Sequence, residues 1–458
     1  MSIEQTIAEL SPFLGDRLAQ SKSELEHHGQ SESYFPATLP DAVAYPESAA
    51  EVSRILQTCN RLGCPVTGWG AGTSLEGHAL AVRGGIVVDF SRMNRLLAVN
   101  AEDMDCVVQP GMTREALNTE LRATGLFFPV DPGANATLGG MAATRASGTT
   151  TVRYGSMRDN VTGLEVVLAD GRIVRTGSRA RKSASGYDLT RLFVGSEGTL
   201  GLITELTLRL HGQPEATRAA VCAFDSMAGA VETVIETVQT GIPVARIEFV
   251  DQTVAQIFNA RSNAGFPEKP HLLVEFRGTD ASVAEDTARF AEIAASHGAE
   301  GFRWAERTEE RTALWEMRHN FAYTLKAHYP GRRFVFTDVC VPISRLAETV
   351  EETRADIEAS GIPGPIVGHV GDGNFHSSLA VDETNPDDMR VAKELAHRMA
   401  ERALRYGGTV TGEHGIGLGK LAYMEEEHGA AWAVMGDIKR TFDPKNILNP
   451  GKLVPPTD

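Results

Sequence analysis

Segments rich in glycine constrain this chain more than any other feature of its sequence. The chain has 45 glycines in 458 residues. The segments rich in glycine lie at 68–77, 132–140, 195–201, 371–374 and 412–419. Glycine weakens helices and strands, so a folded chain that keeps many glycines uses bare backbone for a purpose. Backbone N–H groups and small hydroxyls together bind anionic oxygens. Because the first two segments mix glycine with Ser and Thr, they favour a phosphate-bearing cofactor over plain tight turns.

Neither of the two common nucleotide-binding motifs fits these segments. The dinucleotide fingerprint G-x-G-x-x-G, started at Gly70, requires a glycine at position 75, where the chain has leucine. A P-loop ending at Gly419-Lys420 requires glycine at position 414 and Ser or Thr at position 421, where the chain has His and Leu. The sequence therefore disfavours a Rossmann fold.

Charge and cysteine content narrow the class of protein. Asp and Glu number 60 against 44 Lys and Arg, and this formal charge of −16 argues against nucleic acid and anionic membranes as partners. The five cysteines show no paired metal spacing and indicate free thiols in a reducing compartment. No signal peptide is visible, and no apolar stretch approaches the ~20 residues of a membrane helix. These features predict a cytoplasmic protein without a membrane span.

The pattern of the chain changes near residue 214. Before it, the sequence predicts a hairpin that turns at Asp170-Gly171 and a half-buried strand over 202–210. After it, amphipathic helices predicted around 227–238, 343–357 and 392–406 alternate with strands, which indicates an α+β domain. The predicted divisions are a helical lead-in at 1–40, a first domain at 41–213, a second at 214–440 and a segment at 441–458 that packs back on the first.

Two histidines flank a predicted turn in the second domain. If Asp372 and Gly373 form a two-residue hairpin turn, His369 and His376 lie directly opposite each other, with Cβ atoms roughly 5 Å apart. Two such imidazoles can share a metal ion, and Glu413, set among glycines, is the candidate third ligand. Three ligands leave coordination positions open, which suits a Lewis acid. A cross-strand polar pair without a metal is an equal alternative.

Several strings of the first domain stand out together. They are Gly70-Ala71-Gly72-Thr73-Ser74-Leu75, Gly139-Gly140, Tyr154-Gly155 and Gly195-Ser196-Glu197-Gly198-Thr199-Leu200-Gly201. They resemble the FAD-binding domain of the vanillyl-alcohol oxidase superfamily. The resemblance implies an α+β protein in which a two-part FAD-binding domain is joined to an α+β substrate domain, or cap.

The same resemblance implies which residues contact FAD. The pyrophosphate would be held by Gly70, Ala71, Gly72, Thr73 and Ser74. The further contacts implied are Pro132, Gly133, Thr137, Gly140, Thr144, Gly148, Glu197, Gly198 and Ile203. Many members attach FAD covalently through a histidine; we expect non-covalent FAD here, with a bond to His78 as the alternative.

The C-terminal half carries a second resemblance. Its strings are Trp315-Glu316-Met317-Arg318-His319-Asn320, 337–346, 368–376, 412–417 and Asn449-Pro450-Gly451-Lys452. They are similar to the C-terminal domain of FAD-linked 2-hydroxy-acid dehydrogenases, most closely the cytochrome-type D-lactate dehydrogenases. The related D-2-hydroxyglutarate enzymes carry a lysine for the distal carboxylate before the strand that ends at Pro342. The comparable stretch here, 334–337, has none, which favours a monocarboxylate.

This resemblance assigns roles to the polar residues. Arg318 would bind the substrate carboxylate, with a surface ion pair as the alternative. A divalent metal on the two histidines and Glu413 would bind the 2-hydroxyl, and His414 would take its proton as general base. Asn374 would donate a hydrogen bond to the substrate, unless it is only a turn residue.

These roles predict the metal-assisted oxidation of a D-2-hydroxy acid, D-lactate first, with hydride passing to flavin N5. Zinc, manganese and iron all suit two His and one carboxylate. Because the sequence has no Cys cluster and no haem motif, electrons would leave to a cytochrome, a quinone, an electron-transfer flavoprotein or oxygen. The alternatives are a glycolate or D-2-hydroxyglutarate dehydrogenase, a sugar oxidase with covalent flavin, and a non-catalytic flavin subunit of an electron-transfer complex. The sequence leaves a homodimer open.

Overall fold

The computed structural model describes residues 3–262, 265–319 and 321–456, without the side chains of residues 262, 316, 317 and 319. The α-helices are α1 (Ile3–Leu14), α2 (Lys22–His28), α3 (Ala49–Leu62), α4 (Arg114–Glu120), α5 (Leu138–Thr144), α6 (Thr151–Tyr154), α7 (Met157–Asn160), α8 (Leu189–Phe193), α9 (Met227–Gln239), α10 (Gln252–Ser262), α11 (Asp280–Ser296), α12 (Thr308–His319), α13 (Phe321–His328), α14 (Leu346–Ser360), α15 (Pro386–Arg405), α16 (Met424–His428) and α17 (Ala430–Phe442).

Strands are interspersed with these helices as far as residue 381. They are β1 (Leu18–Ala19), β2 (Ala42–Ala44), β3 (Val66–Trp69), β4 (Ile86–Asp89), β5 (Leu96–Asn100), β6 (Asp105–Val108), β7 (Leu126–Phe127), β8 (Val161–Val167), β9 (Ile173–Gly177), β10 (Leu202–Arg209), β11 (His211–Gly212), β12 (Ala216–Ala223), β13 (Val244–Val250), β14 (His271–Gly278), β15 (Glu300–Ala305), β16 (Arg333–Phe336), β17 (Val339–Cys340), β18 (Ile366–His369) and β19 (Asn374–Val381). The predicted mixture of helix and strand is confirmed.

The chain forms two compact units. The first unit holds residues 1–147, 155–213 and 413–458, and the second holds 148–154 and 214–412. The chain thus enters the second unit after Gln213 and returns to the first at Glu413. Residues 413–440, which the sequence grouped with the second domain, fall in the first unit. The N–H groups of Ile416 and Gly417 donate to the Glu197 carboxylate, which belongs to that unit.

The first unit contains two main sheets. One is four-stranded in the order β1-β2-β4-β3, with parallel pairing of β2 and β3 to β4. The other is five-stranded and antiparallel, in the order β5-β6-β10-β8-β9. Two sequence predictions are confirmed here: the hairpin of β8 and β9 turns through Asp170-Gly171, and β10 covers the alternating segment.

The C-terminal segment belongs to the core of the first unit. The Val66 N–H donates to the Ile447 carbonyl over 2.7 Å, and the Asn449 N–H donates to the Val66 carbonyl over 2.8 Å. Ile447 and Leu448 are fully buried with the aliphatic side chains of α3 and the four-stranded sheet. Burial of these side chains, at ~25 cal/mol per Å² of apolar surface, ties the end of the chain to β3.

The second unit is built on one large antiparallel sheet. Its strands follow the order β15-β12-β14-β13-β18-β19-β16, and β17 also pairs with β19. The three predicted amphipathic helices are confirmed as α9, α14 and α15; most of each apolar stripe is buried, but Val238 of α9 is 44% exposed. Across the described residues, the helices fall short of the length and apolarity needed to cross a membrane.

Candidate functional site

Two of the predicted FAD segments meet in the first unit. The strand β3 leads directly into the loop that starts at Gly70, and a side chain at Gly70 would overlap the Thr137 hydroxyl. Thr137 in turn caps α5, where its Oγ1 accepts a hydrogen bond from the Gly140 N–H over 3.4 Å. The absence of a side chain at Gly70 is therefore what lets the first glycine loop approach α5.

The third glycine segment packs against the same helix. The N–H groups of Gly195 and Glu197 donate to the carbonyls of Ala142 and Ala143, each over 2.9 Å. Glu197 itself has a positive φ of 54°, and Gly198 follows with a φ of 70°. Three segments that are far apart in sequence thus form one group around α5.

The first loop offers the kind of atoms that a pyrophosphate requires. The Ser74 hydroxyl oxygen is buried and has no hydrogen-bond partner among the described residues. Gly72 has a φ of 68° and lies so close to the Trp69 ring that a side chain would overlap it. Bare backbone beside an unpartnered hydroxyl fits an anionic oxygen of FAD. Ala71 and Thr73 belong to the same loop.

The other residues predicted to contact FAD are spread more widely. Pro132 and Gly133 lie in the connection before α5, and Gly133 has open space around its Cα. The Thr144 hydroxyl donates to the Gly140 carbonyl over 3.2 Å, within α5. Ile203 is buried on β10. Gly148 belongs to the second unit, whereas the rest of the predicted set belongs to the first.

His78, the alternative point of covalent attachment, lies beside a buried carboxylate. Its Nε2 is 3.2 Å from Oε1 of Glu197. The two carboxylate oxygens of Glu197 also accept hydrogen bonds from the N–H groups of Ile416 and Gly417, over 2.7 and 2.9 Å. Burial alone would raise the pKa of Glu197, but His78 and these two N–H groups outweigh it and lower the pKa. This contact with Glu197 gives His78 a structural role that requires no flavin bond.

The second unit brings the predicted histidine pair together, but not in the predicted register. His369 lies opposite Asn374, and His376 lies opposite Val367. The prediction of direct opposition across a two-residue turn is therefore wrong. The connection is four residues long because Gly373 packs against Val341, whose N–H donates to the Gly373 carbonyl over 3.0 Å.

The two histidines nevertheless lie on one face of the sheet. A shift of two residues in register preserves the face of every side chain. The imidazole centroids of His369 and His376 are 5.5 Å apart, the rings are nearly perpendicular, and one nitrogen of each lies within 4.8 Å of the other. Both side chains are more than nine-tenths buried. The pair is thus close enough to share one ion.

Hydrogen bonds to Nδ1 determine which nitrogen of each imidazole carries the proton. His369 Nδ1 lies 2.7 Å from Oε1 of Glu248, and His376 Nδ1 lies 3.2 Å from the Thr337 carbonyl. Both partners are oxygen acceptors, so each Nδ1 carries the proton and each Nε2 carries the lone pair that a metal requires. A histidine that donates one ring N–H to an oxygen acceptor can bind a metal through the other nitrogen.

Glu248 and Thr337 were missed by the sequence reasoning. For Glu248 a signal was present, because this charged residue lies among the apolar residues Ile247, Phe249 and Val250 of β13 and is fully buried there. A charge inside a buried strand must be paired, and its partners are the candidates for function. Thr337 acts through its backbone carbonyl, which leaves no signal in the residue type.

Arg318 joins the same group through Glu248. Its Nε–H donates to Oε2 of Glu248 over 2.8 Å, so a substrate carboxylate would meet the guanidinium end-on. Asn374 donates both amide hydrogens, to Oδ1 of Asp338 and to the Val339 carbonyl, over 2.7 and 2.8 Å. Its Oδ1 is buried and, within the described residues, unpartnered, so Asn374 offers an acceptor where the sequence predicted a donor. Asn320, the end of the motif around Arg318, lies outside the described residues.

Glu413 and His414 begin the last segment of the first unit. The Ser147 hydroxyl donates to Oε2 of Glu413 over 2.8 Å and so restrains the carboxylate. Gly412, the preceding residue, belongs to the second unit and packs so closely on the Asn374 amide that a side chain there would overlap it. The structure therefore groups Arg318, Asn374 and the two histidines in the second unit, and Glu413 and His414 in the first.

Known proteins resemble this chain over nearly all of its length. Residues 213–453 match the family described as FAD linked oxidases, C-terminal domain, and residues 40–177 match an FAD binding domain. A Danio rerio protein named "Probable D-lactate dehydrogenase, mitochondrial" is 46% identical over 99% of this chain and 92% of its own length. An Arabidopsis thaliana protein named "D-lactate dehydrogenase (cytochrome), mitochondrial" is 44% identical over 99% of this chain and 80% of its own length.

A solved structure gives the same result for the fold. Alkyldihydroxyacetonephosphate synthase superposes with a TM-score of 0.79 at 21% identity, over 99% of this chain and 86% of the other. At that identity the likeness concerns the fold alone. Together with the family matches, it confirms both resemblances drawn from the motifs.

The predicted cytoplasmic location is contradicted by these relatives. Both of the D-lactate dehydrogenases above are mitochondrial by name. The prediction depended on free thiols and on the absence of an apolar leader. Free thiols indicate a reducing environment. Because more than one cell compartment is reducing, free thiols could not distinguish the cytoplasm from the others.

Proposed function

This chain belongs to the family of FAD linked oxidases, and we propose on that basis that it oxidises D-lactate to pyruvate with FAD as the hydride acceptor. One observation carries the proposal: the carboxylate of Glu248 joins Arg318 to His369, and the His369 ring lies 5.5 Å from that of His376. A carboxylate anchor and a hydroxyl-binding group are the two features that recognition of a 2-hydroxy acid requires.

A divalent metal would be held by His369, His376 and Glu413. In both histidines Nδ1 carries the proton, so Nε2 is the nitrogen that would bind the metal, and Glu413 would supply a carboxylate as the third ligand. The Ser147 hydroxyl would orient the Glu413 carboxylate, as hydrogen-bond donors around metal ligands do. When bound, such a metal lowers the pKa of a coordinated hydroxyl; zinc, manganese and iron all suit these ligands.

The remaining residues supply binding and proton transfer. Arg318 binds the substrate carboxylate through its Nη atoms. Asn374 takes no part in proton transfer here, because Asp338 and Val339 hold its amide hydrogens and the single O–H of the substrate goes to His414. His414 takes the hydroxyl proton as general base, since an imidazole titrates near neutrality. When bound, FAD accepts the hydride from the 2-carbon. One proton and one hydride leave the substrate, which balances the conversion of an alcohol to a ketone.

The substrate of choice is a monocarboxylate. The stretch 334–337 borders the histidine pair, because the Thr337 carbonyl binds His376. This stretch carries no lysine that could bind a second carboxylate. Turnover would also require an external electron acceptor such as a cytochrome or a quinone.

Anaerobic mixing of the FAD-loaded protein with single substrates tests the proposal. D-Lactate should bleach the visible absorption of the flavin, whereas L-lactate, glycolate and D-2-hydroxyglutarate should bleach it more slowly or not at all. His414→Ala should abolish bleaching while FAD and metal stay bound. No bleaching by any 2-hydroxy acid, with FAD and metal confirmed, would favour a non-catalytic flavin subunit instead.

A further inference from the structure

Glu248 occupies a central position in the second unit. It lies on β13, is fully buried and faces two partners from separate elements, His369 on β18 and Arg318 on α12. Its Oε1 accepts from His369 over 2.7 Å and its Oε2 accepts from Arg318 over 2.8 Å. Each carboxylate oxygen thus has a different partner.

We propose that Glu248 is a positioning residue that couples the metal ligand His369 to the carboxylate anchor Arg318. The inference rests on the proposed function. On one side the carboxylate holds the His369 proton on Nδ1 and so presents Nε2 to the metal. On the other it holds the guanidinium through Nε and so presents the Nη edge to the substrate.

The coupling has a consequence for substrate choice. In a 2-hydroxy acid the carboxylate and the hydroxyl are on adjacent carbons, so the groups that bind them must keep one fixed separation. A single buried carboxylate that holds both groups fixes that separation. Glu248 therefore favours 2-hydroxy acids over 3-hydroxy acids, in which the two groups are one carbon further apart.

The chemistry of the carboxylate suggests the variant to use. A carboxylate has two acceptor oxygens, whereas an amide has one acceptor and one donor. Glu248→Gln therefore keeps the size of the side chain but can accept a hydrogen bond from only one of His369 and Arg318 through its oxygen. Glu248→Asp keeps two acceptors on a shorter side chain, and it serves as the second variant if Glu248→Gln does not fold.

The second unit also offers a matched control. Glu275, on the adjacent strand β14, is 4% exposed and accepts from the Arg277 Nε–H over 2.7 Å, with Arg246 at 3.6 Å. It is a buried carboxylate between two arginines and lies outside the proposed site. Glu275→Gln should therefore resemble Glu248→Gln in its effect on stability and differ in its effect on ligands.

The experiment measures two affinities in the FAD-loaded full chain. Zinc affinity is measured by competition with a chelator, and pyruvate affinity by calorimetry on the zinc-loaded protein. Glu248→Gln should weaken zinc binding by about 10- to 100-fold and pyruvate binding by about 10-fold. Glu275→Gln should leave both affinities within about twofold of the wild type.

A double variant tests the coupling directly. Arg318→Lys combined with Glu248→Gln should weaken pyruvate binding by less than the product of the two single effects.

The outcomes separate this inference from the proposed function. If the wild type binds zinc and is reduced by D-lactate, but Glu248→Gln keeps both affinities or Glu275→Gln loses them equally, the coupling role is wrong and the proposed function stands. If the wild type binds no divalent metal, or no D-2-hydroxy acid reduces it, both proposals fall.

Discussion

The predicted site of the first unit depends on exposed backbone, whereas that of the second unit depends on side chains. In the first unit the FAD loops meet because Gly70 and Gly72 lack side chains where a side chain would overlap Thr137 or Trp69. In the second unit the site consists of side chains, and buried hydrogen bonds from other strands hold each of them. The first site should therefore be sensitive to added atoms, and the second to lost ones.

The largest expected effect comes from removing a side chain in the second unit. His376→Ala deletes one proposed metal ligand, and loss of a Lewis acid worth several kcal/mol should slow flavin reduction by D-lactate at least ~1,000-fold. The FAD content should remain that of the wild type. Stopped-flow absorbance measures the reduction, and elemental analysis measures the metal.

His397→Ala is the matched control for this prediction. His397 is about half exposed on α15, where it pairs with Glu401. Its removal should change neither reduction nor metal content. A slow but metal-replete His376→Ala protein would mean that His376 acts in some role other than ligand.

A smaller effect, on FAD rather than on the metal, is expected from adding a side chain in the first unit. Gly70→Val should force the first loop away from Thr137. Overpacking of this kind costs ~1–3 kcal/mol, which corresponds to about 5- to 150-fold weaker binding of FAD. Metal content should stay unchanged. Flavin fluorescence on titration of the apoprotein with FAD gives the affinity.

Gly212→Val is the control for the added side chain. Gly212 has open space around its Cα and lies on β11, where a β-branched residue is favourable. It should bind FAD as the wild type does. If both valine variants lost FAD equally, the loss would reflect general destabilisation of the first unit rather than the loop contact.

The same contrast explains what the sequence could predict. The FAD loops are contiguous strings whose spacing is visible in one stretch of chain, so Gly70 and Thr137 were named and found together. The histidine pair was also named, but its predicted register was wrong, because the turn depends on β17, a strand some 30 residues earlier in the chain. Tertiary pairing overrode the local preference of Asp-Gly for a two-residue turn.

Glu248 marks the limit of the sequence reasoning. Its two partners come from α12 and β18, 70 and 121 residues away along the chain. No local spacing links three residues so far apart. The apolar strand around Glu248 indicates only that a charge is buried there, and the fold is needed to identify its partners.

A buried charge in the first unit sharpens the contrast further. Lys452 donates hydrogen bonds to the carbonyls of His78 and Leu80 and to Oδ1 of Asn449, over 2.6–2.7 Å. Burial lowers the pKa of Lys452 to about 7, and the nearby charge of Glu197 opposes that shift only in part. In this unit, then, a buried charge supports backbone rather than chemistry.

This shift gives the smallest predicted effect, on stability alone. Between pH 7 and the ordinary pKa of 10.5, the unfolded chain binds a proton at Lys452 that the folded chain does not. The free energy of unfolding should therefore rise with pH through this window, by at most ~1.4 kcal/mol per pH unit. Below pH 7 Lys452 is protonated in both states, so its slope with pH should vanish. Melting temperatures of the FAD-loaded protein from pH 6 to 9.5 measure the slope.

Two variants test the assignment of this slope to Lys452. Lys452→Met should remove the rise in stability with pH, whereas Lys445→Met, at an exposed lysine, should keep it. An identical slope in Lys452→Met and the wild type would mean that Lys452 stays protonated in the fold, and that its three acceptors outweigh its burial.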